Sequence, residues 1–397
     1  MTHVTKTWLT VLATAAVGTA AVVVLLVLAR QQPSTNNAAN STSTVAPTAS
    51  NVVVPPATTP PVPPASAPDT ETVLTKLDIP WELAFLPDGS MLITERPGQL
   101  LLASNDRTSI PVSGVHHEGE GGLLGLALHP QFATNHQLYL YMTTAQADGS
   151  LRNRVERYRL DGTRLADRKV IVQGIPGAGA HDGGRLAFGP DGKLYVTTGD
   201  AGNEANAQDL STLAGKILRL NDDGSIPSDN PFGTAVWSYG HRNVQGLTWD
   251  DQGRLWATEH GPSAAPPDGG RDEVNLIQKG LNYGWPVIRG DQTNDKMETP
   301  QANSGVDTTW APSGMTFYKG SLLFAGLRGQ SIYQAELSRA ASIKIVPHLA
   351  EKFGRLRTIV LGPDGFFYIL TNNTDGRGTP ADDDDKLIRV HPRALGF

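Results

Sequence analysis

From about Thr70 to the end, the chain alternates apolar residues with small or polar ones in short runs, and one arrangement returns six times. Leu83–Phe85 is followed by Pro87-Asp88-Gly89 and Met91–Thr94, and Leu126–Leu128 by His129-Pro130 and Leu138–Tyr141. The third unit is Leu186–Phe188, Gly189-Pro190-Asp191-Gly192 and Leu194–Thr197. Leu247–Trp249 with Leu255–Thr258, Met315–Phe317 with Leu322–Ala325, and Ile359–Leu361 with Phe367–Thr371 repeat the form around Gln252-Gly253, Lys319-Gly320 and Asp364-Gly365. Period-two alternation predicts half-buried strands, and Pro-Asp-Gly supplies a tight turn because proline pre-sets one φ and glycine accepts a positive one. A third strand is predicted at Leu100–Ala103, Val155–Leu160, Ile217–Leu220, Val274–Ile277, Ile332–Leu337 and Leu387–Val390. A small antiparallel sheet recurring every ~45–65 residues predicts an all-β, six-bladed β-propeller. Two stacked β-sandwiches would leave the recurrence unexplained.

Ahead of the repeat the pattern changes twice. Trp8 to Ala29 carries no charge, with Lys6 before it and Arg30 after it. That run is long enough to cross a bilayer as a helix, so residues 1–30 read as a membrane anchor or signal segment, with an uncleaved anchor favoured. Residues 31–69 are rich in Ser, Thr, Asn and Pro and bury too little apolar surface to offset their ordering entropy; they read as a disordered linker. Residues 70–397 form the propeller domain. The expected location is the cell membrane, with the domain on its periplasmic or extracellular side, or secretion if the first segment is cleaved.

The 42 glycines and 28 prolines suit many short strands joined by turns. A net charge of −6 argues against a nucleic-acid partner, which calls for a basic face. With no cysteine, disulfides, thiolate metal sites, thiol nucleophiles and cysteine-linked lipids are excluded together.

In a propeller, loops at one end of the axis face one another however far apart they are in sequence. The candidates are Gly119–Gly122, Ala180–Arg185, Gly240–Asn243, Glu259–Pro262, Leu327–Gly329 and Arg355–Arg357. Arg242, Arg328, Arg355 and Arg357 gather in these loops although the chain is acidic, and their forks fit an anion with several carboxylates or phosphates. His181 alone lies in a glycine-rich loop with no adjacent basic residue, and an imidazole accepts a proton near neutral pH. His241 and His260 could orient their loops by hydrogen bonding. Asp382–Lys386 leads into a predicted strand and reads as a solvated hairpin, with calcium binding the lesser alternative.

GEGGLLGLALHP, HDGGRLAFGPDGKLYVTTGD, GKILRLNDDGSIPSDNPF, YGHRNVQGL, EHGP with DEVNLIQKGLNYGWP, APSGM and FGRLRTIVLGPDG occur in that order. Together they resemble the soluble quinoprotein glucose and aldose-sugar dehydrogenases, six-bladed propellers that bind pyrroloquinoline quinone (PQQ) and calcium. The resemblance covers essentially all of 70–397. It implies that His181 is the general base acting on a sugar's anomeric hydroxyl, with Arg242 beside the reactive carbonyl of the quinone. It implies cofactor contacts from Glu120, Arg242, Asn243, Arg328, Arg355 and Arg357, and calcium held by the backbone carbonyls of Gly261 and Pro262. The implied reaction oxidises an aldose to a lactone, with electrons passing to an external acceptor, a quinone or redox protein. Before the histidine, where some members have an acidic or amide residue near the sugar, this chain has Ala180, with Asp182 on the other side, a departure that bears on sugar preference. Asp272 and Glu273 read as loop-fixing residues. Two other classes remain open: a calcium-dependent propeller lactonase, which needs an acidic metal cage, and a sugar- or protein-binding propeller without catalysis.

Overall fold

The computed structural model describes residues 61–262, 269–337 and 343–397. The expected membrane segment and the linker up to residue 60 lie outside the described residues. Six four-stranded antiparallel sheets make up the described domain, as the six-fold repeat predicts. Blade 1 runs through Pro80–Phe85, Met91–Glu95, Gln99–Ala103 and Arg107–Pro111; blade 2 through Leu123–Leu128, Gln137–Ala145, Leu151–Asp161 and Arg164–Gly177. Blade 3 comprises Leu186–Phe188, Leu194–Thr197, Lys216–Leu220 and Val236–Tyr239; blade 4 comprises Val244–Trp249, Leu255–Glu259, Glu273–Ile277 and Ala302–Asn303. Blade 5 holds Pro312–Tyr318, Ser321–Gly326, Ile332–Glu336 and Lys344–His348. Blade 6 is composite: Leu356–Leu361, Phe367–Thr371 and Leu387–Val390 are joined by Thr70–Leu74 from the other end of the domain. All six first, second and third strands fall where alternation predicts them. The fourth strands escape the pattern because they are outermost and largely solvated, as in Arg107–Pro111 and Thr70–Leu74.

The cores lie between blades. Leu124, Tyr139 and Val155 of blade 2 pack on Leu186, Val196 and Leu218 of blade 3, and Leu323 and Ile332 of blade 5 pack on Ile359 and Ile369 of blade 6. Each blade buries both faces, so removing one would expose two cores. Blade 6 closes the ring through Thr70↔Val390, Glu71↔Arg389 and Thr72↔Ile388. Residues 61–69, the end of the stretch read as linker, lie against this blade. Arg393 donates to Asp69 Oδ1 and to the Ala65 carbonyl, both at 2.5 Å, and Ala67 packs on the core between blades 6 and 1.

Register places the candidate loops at one end. The start of each first strand faces the end of the second, as in Pro80↔Glu95, Val244↔Glu259, Pro312↔Gly326 and Leu356↔Thr371. Loops before first strands and after second strands therefore share the mouth, and the Pro-Asp-Gly turns mark the opposite end. Near the mouth the pairing slips at Trp81, Gln245, Ser313-Gly314 and Arg357. A bulge re-aims the side chain it carries. These side chains meet across blades: Arg357 Nη1 donates to Gln245 Oε1 at 2.7 Å, Ser313 Oγ to the same oxygen at 3.2 Å, and the Arg357 guanidinium sits 5.8 Å from the Trp81 ring.

Candidate functional site

His181 follows the outer strand of blade 2 and precedes the first strand of blade 3. Its φ of 62° is in the left-handed region, sparse for a residue with a Cβ and enriched at functional sites. Two contacts fix this conformation. The backbone N–H donates to Glu120 Oε2 at 3.0 Å, and the carbonyl rests where any Cβ on Gly199 would stand, 1.8 Å from it. Glycine at 199 is thus a condition for the loop to reach the strand end that carries Asp200.

The imidazole Nδ1 lies 2.7 Å from Asp200 Oδ1. A carboxylate oxygen accepts this hydrogen, so Nδ1 carries it, and in the neutral ring Nε2 then keeps its lone pair. Asp200 is 1 % exposed and held from several sides: its Oδ1 also accepts the Gly202 N–H at 2.8 Å, its Oδ2 the Trp285 indole N–H at 2.9 Å, and its N–H donates to the Arg242 carbonyl at 2.8 Å. The loop behind it is pinned by Lys216, whose ammonium donates to the carbonyls of Asn206, Ala207 and Ala214 and is pushed down to about 8 by burial. Asp200 had no role in the sequence reading. The one available signal was its place at the end of the second strand of the histidine's own blade.

A chain of hydrogen bonds runs from His181 to blade 6. Glu120 takes the His181 N–H on one oxygen and Arg377 Nη1 on the other at 2.7 Å; Arg377 N–H donates to Asp375 Oδ1 at 2.9 Å, and Arg355 Nη2 to Asp375 Oδ2 at 2.8 Å. Burial would raise the Glu120 carboxyl, but the His181 N–H and the positive charge around it bring it to about 2. Glu120 is therefore ionised and already bonded. Arg377 and Asp375 were not anticipated, because nothing local in sequence ties residue 377 to residue 120.

The structure brings together His181, Glu120, Arg242, Asn243, Arg355 and Arg357 of the expected site. Asn243 is fully buried, accepts the Gly183 N–H at 3.0 Å on Oδ1, and leaves Nδ2 without a partner. Arg242 is buried and donates from Nη1 to the His260 carbonyl at 3.3 Å; Arg357 is buried between Gln245 and Asn372. Neither forms an ion pair among the described residues. Burial lowers the pKa of both, that of Arg357 to about 9 with help from neighbouring Arg96. Arg96, missed in the sequence, is of the same kind: 3 % exposed, bonded to the Gly119 carbonyl, its Nε without a partner. Arg328 is different. It lies at the same end of blade 5, but its side chain is exposed and bonds to no described residue.

His241 is bonded on both ring nitrogens, Nδ1 to Glu259 at 2.8 Å and Nε2 to Ser238 at 2.9 Å, and it stacks on Tyr283. His260 instead leaves a buried Nε2 without a partner, and burial pushes it down to about 3, so its ring is neutral beside Glu120, Arg242, Arg357 and His181. Gly261 and Pro262 follow it, and no described residue donates to either carbonyl. Asp272 fixes this loop, accepting the N–H groups of Gly261, Trp310 and Ala311 at 2.8, 2.6 and 2.8 Å. Beside it, burial and the charge of cross-strand Glu259 raise Glu273 to about 8. Asp385 of the acidic run is buried and accepts from Thr371 and from the Thr374 N–H, so it is a structural anchor of the Arg377 loop. A separate cavity of about 520 Å³ lies at the turn end between blades 1 and 2, walled mainly by Leu86, Leu102, Phe132 and Leu160. Its lining has no convergent set of polar groups like that at the mouth.

At the mouth, Asp200 orients the partly exposed imidazole of His181, and the buried guanidiniums of Arg96, Arg242 and Arg357 have no carboxylate partner among the described residues. The chain belongs to the Glucose / Sorbosone dehydrogenase family, whose sequence profile matches residues 77–388. It is 34% identical over 360 residues to the aldose sugar dehydrogenase YliI of Escherichia coli K12, covering 82% of this chain and 93% of that protein. Among solved structures, it is similar to the PQQ-bound aldose sugar dehydrogenase of Streptomyces coelicolor, with 39% identity, a TM-score of 0.74 and coverage of 83% and 99%. It is also similar to an oxidoreductase (glucose dehydrogenase) of Thermus thermophilus, with 44% identity, a TM-score of 0.75 and coverage of 81% and 98%.

Proposed function

We propose that the chain is a PQQ- and calcium-dependent aldose dehydrogenase that oxidises the anomeric carbon and hands electrons to an external acceptor. The observation that carries this reading is the set of buried guanidiniums without carboxylate partners, Arg242 and Arg357, in the loops around the His181–Asp200 pair. A buried positive charge without a counter-ion is costly, so its presence calls for an anionic ligand. The donor set fits PQQ: Arg357 and Arg355 would hold its carboxylates, and Arg242 and Asn243 its quinone side. Arg328 is free to swing toward the mouth.

The carbonyls of Gly261 and Pro262 would contribute to a calcium site. Calcium takes hard oxygen ligands, and backbone carbonyls are of that kind. Bound PQQ would supply the hydride acceptor. The protein does the rest. His181 Nε2 takes the proton of the anomeric hydroxyl, and Asp200, held by Gly202 and Trp285, keeps Nδ1–H in place and balances the imidazolium that forms. Glu120 is fixed at the rim by Arg377 and the His181 N–H, where it can orient a sugar hydroxyl. The N-terminal apolar run would anchor the enzyme with its domain on the periplasmic or extracellular side.

The test is reconstitution of the cofactor-free, full-length protein with PQQ and calcium, followed by dye reduction with several aldoses. Sugar-dependent turnover is expected in the wild type, and His181→Ala should lower it by about 100-fold or more, the scale of a lost general base, while still binding PQQ. A reconstituted wild type that turns over no sugar would leave the binding-only reading in its place.

A further inference from the structure

We propose that Trp285 is a positioning residue for the base, acting through Asp200 and linking the base to Arg242; this rests on the proposed role of His181. The indole N–H donates to Asp200 Oδ2 at 2.9 Å, while the other oxygen of the same carboxylate accepts His181 Nδ1–H at 2.7 Å. With Gly202 also on Oδ1, the plane of the carboxylate is fixed by three donors. The tryptophan is itself held through its backbone and its ring. Its backbone N–H donates to the Gly240 carbonyl at 2.9 Å, and its carbonyl accepts from Gln208 Nε2 at 2.6 Å. The guanidinium of Arg242 lies 5.4 Å from the ring and that of Arg289 lies 4.9 Å from it.

Two consequences follow from this placement. A guanidinium near an aromatic ring is attracted to its face, so the position of Arg242 and that of the indole are coupled. An anion that draws Arg242 toward itself therefore bears on the hydrogen bond that orients Asp200. Trp285 also has a chemical role that a hydrocarbon of equal size cannot fill, since only its N–H reaches the carboxylate. Without that donor, Asp200 can rotate about its side-chain bonds, and the Nδ1–H tautomer of His181 loses its fixed acceptor.

Two measurements on the full-length protein test this. In cofactor-free protein, ¹⁵N spectra of the histidine ring are expected to show His181 as one tautomer, Nδ1–H, and Trp285→Phe should convert it to a mixture. An unchanged tautomer ratio would overturn the proposal. In reconstituted protein, Trp285→Phe should lower kcat about tenfold, the scale of one hydrogen bond to a charged group, with the KM for sugar and PQQ affinity unchanged. Because the effect passes through Asp200, Trp285→Phe placed on Asp200→Asn should add little; losses that multiply would show a merely structural role. Should Trp285→Phe not fold, Trp285→Met, which also lacks the N–H that reaches Asp200, is read in the same way. The spectra stand apart from turnover: a wild type without sugar oxidation would defeat the functional reading, while the tautomer ratio would still judge the Trp285–Asp200–His181 link.

Discussion

The two ends of the propeller treat arginine in opposite ways. At the turn end, Asp191 accepts from Arg219 Nε at 2.9 Å and from the Tyr195 hydroxyl at 3.1 Å, and Asp364 accepts from Arg389 Nε at 2.9 Å and Tyr368 at 3.0 Å. Asp250 does the same with Arg254 at 2.6 Å and the Trp256 indole at 2.8 Å. Each of these three turn aspartates thus bolts its blade together through one cation and one aromatic donor. At the mouth, Arg96, Arg242 and Arg357 end on carbonyls and amides instead. Arg185, Arg355 and Arg377 do find carboxylates there, on Glu82, Asp375 and Glu120. The turn-end cations named here are paired within their blades; Arg96, Arg242 and Arg357 at the mouth are buried without a carboxylate partner among the described residues.

Substitution at each end should separate the two uses. The largest effect is expected at the mouth. Arg357→Met should weaken PQQ binding about 100-fold or more, the scale of removing one partner from a buried charge pair, while leaving the melting temperature of cofactor-free protein equal or higher. Titration calorimetry and a thermal melt decide it; unchanged affinity, or a cofactor-free protein that melts much lower, would erase the contrast. Arg219→Met should do the reverse, losing about 2 kcal/mol of stability with PQQ affinity intact, since it strips charged hydrogen bonds from Asp191 and Asp229.

Asp182 gives a pH-dependent version of the same test. Burial raises its carboxyl from 3.8 to about 6, and one oxygen has no partner. The folded protein therefore holds that proton more tightly than the unfolded chain does. Stability from this group is present below pH 4 and lost as pH rises through 6, by about 3 kcal/mol. Asp182→Asn keeps an acceptor for Asn153 and should raise the melting temperature at pH 7.5, with the gain shrinking toward pH 4. Equal gains at both pH values would show that the carboxyl is not the cause. The smallest change is expected at the half-exposed rim pair: Arg377→Ala should cost less than about 1 kcal/mol of stability, and any loss of sugar affinity should fade in high salt.

Much of this architecture was legible because a buried strand must alternate and a tight turn must use few residue types. The outer strands were not, since residues such as Thr70–Leu74 face solvent and need no pattern. His181, Arg242, Arg355 and Arg357 stood out because glycine and arginine together are unusual in the loops of an acidic chain. Asp200 and Arg96 did not, because a polar residue at a strand end looks like any turn residue until its partner is known. Glu120 and Arg377 meet across 257 positions, a distance no local pattern spans.

The strand Thr70–Leu74 has a further consequence through its pairing with Leu387–Val390. It is the first part of the domain to leave the ribosome and the last to find its neighbour. Until the final blade has been synthesised, it has no hydrogen-bonding edge to join, and five blades wait with an open seam. The ring can therefore close only after Leu387–Val390 has been made, and a chain cut short before Leu387 should leave Thr70–Leu74 without an edge to pair with.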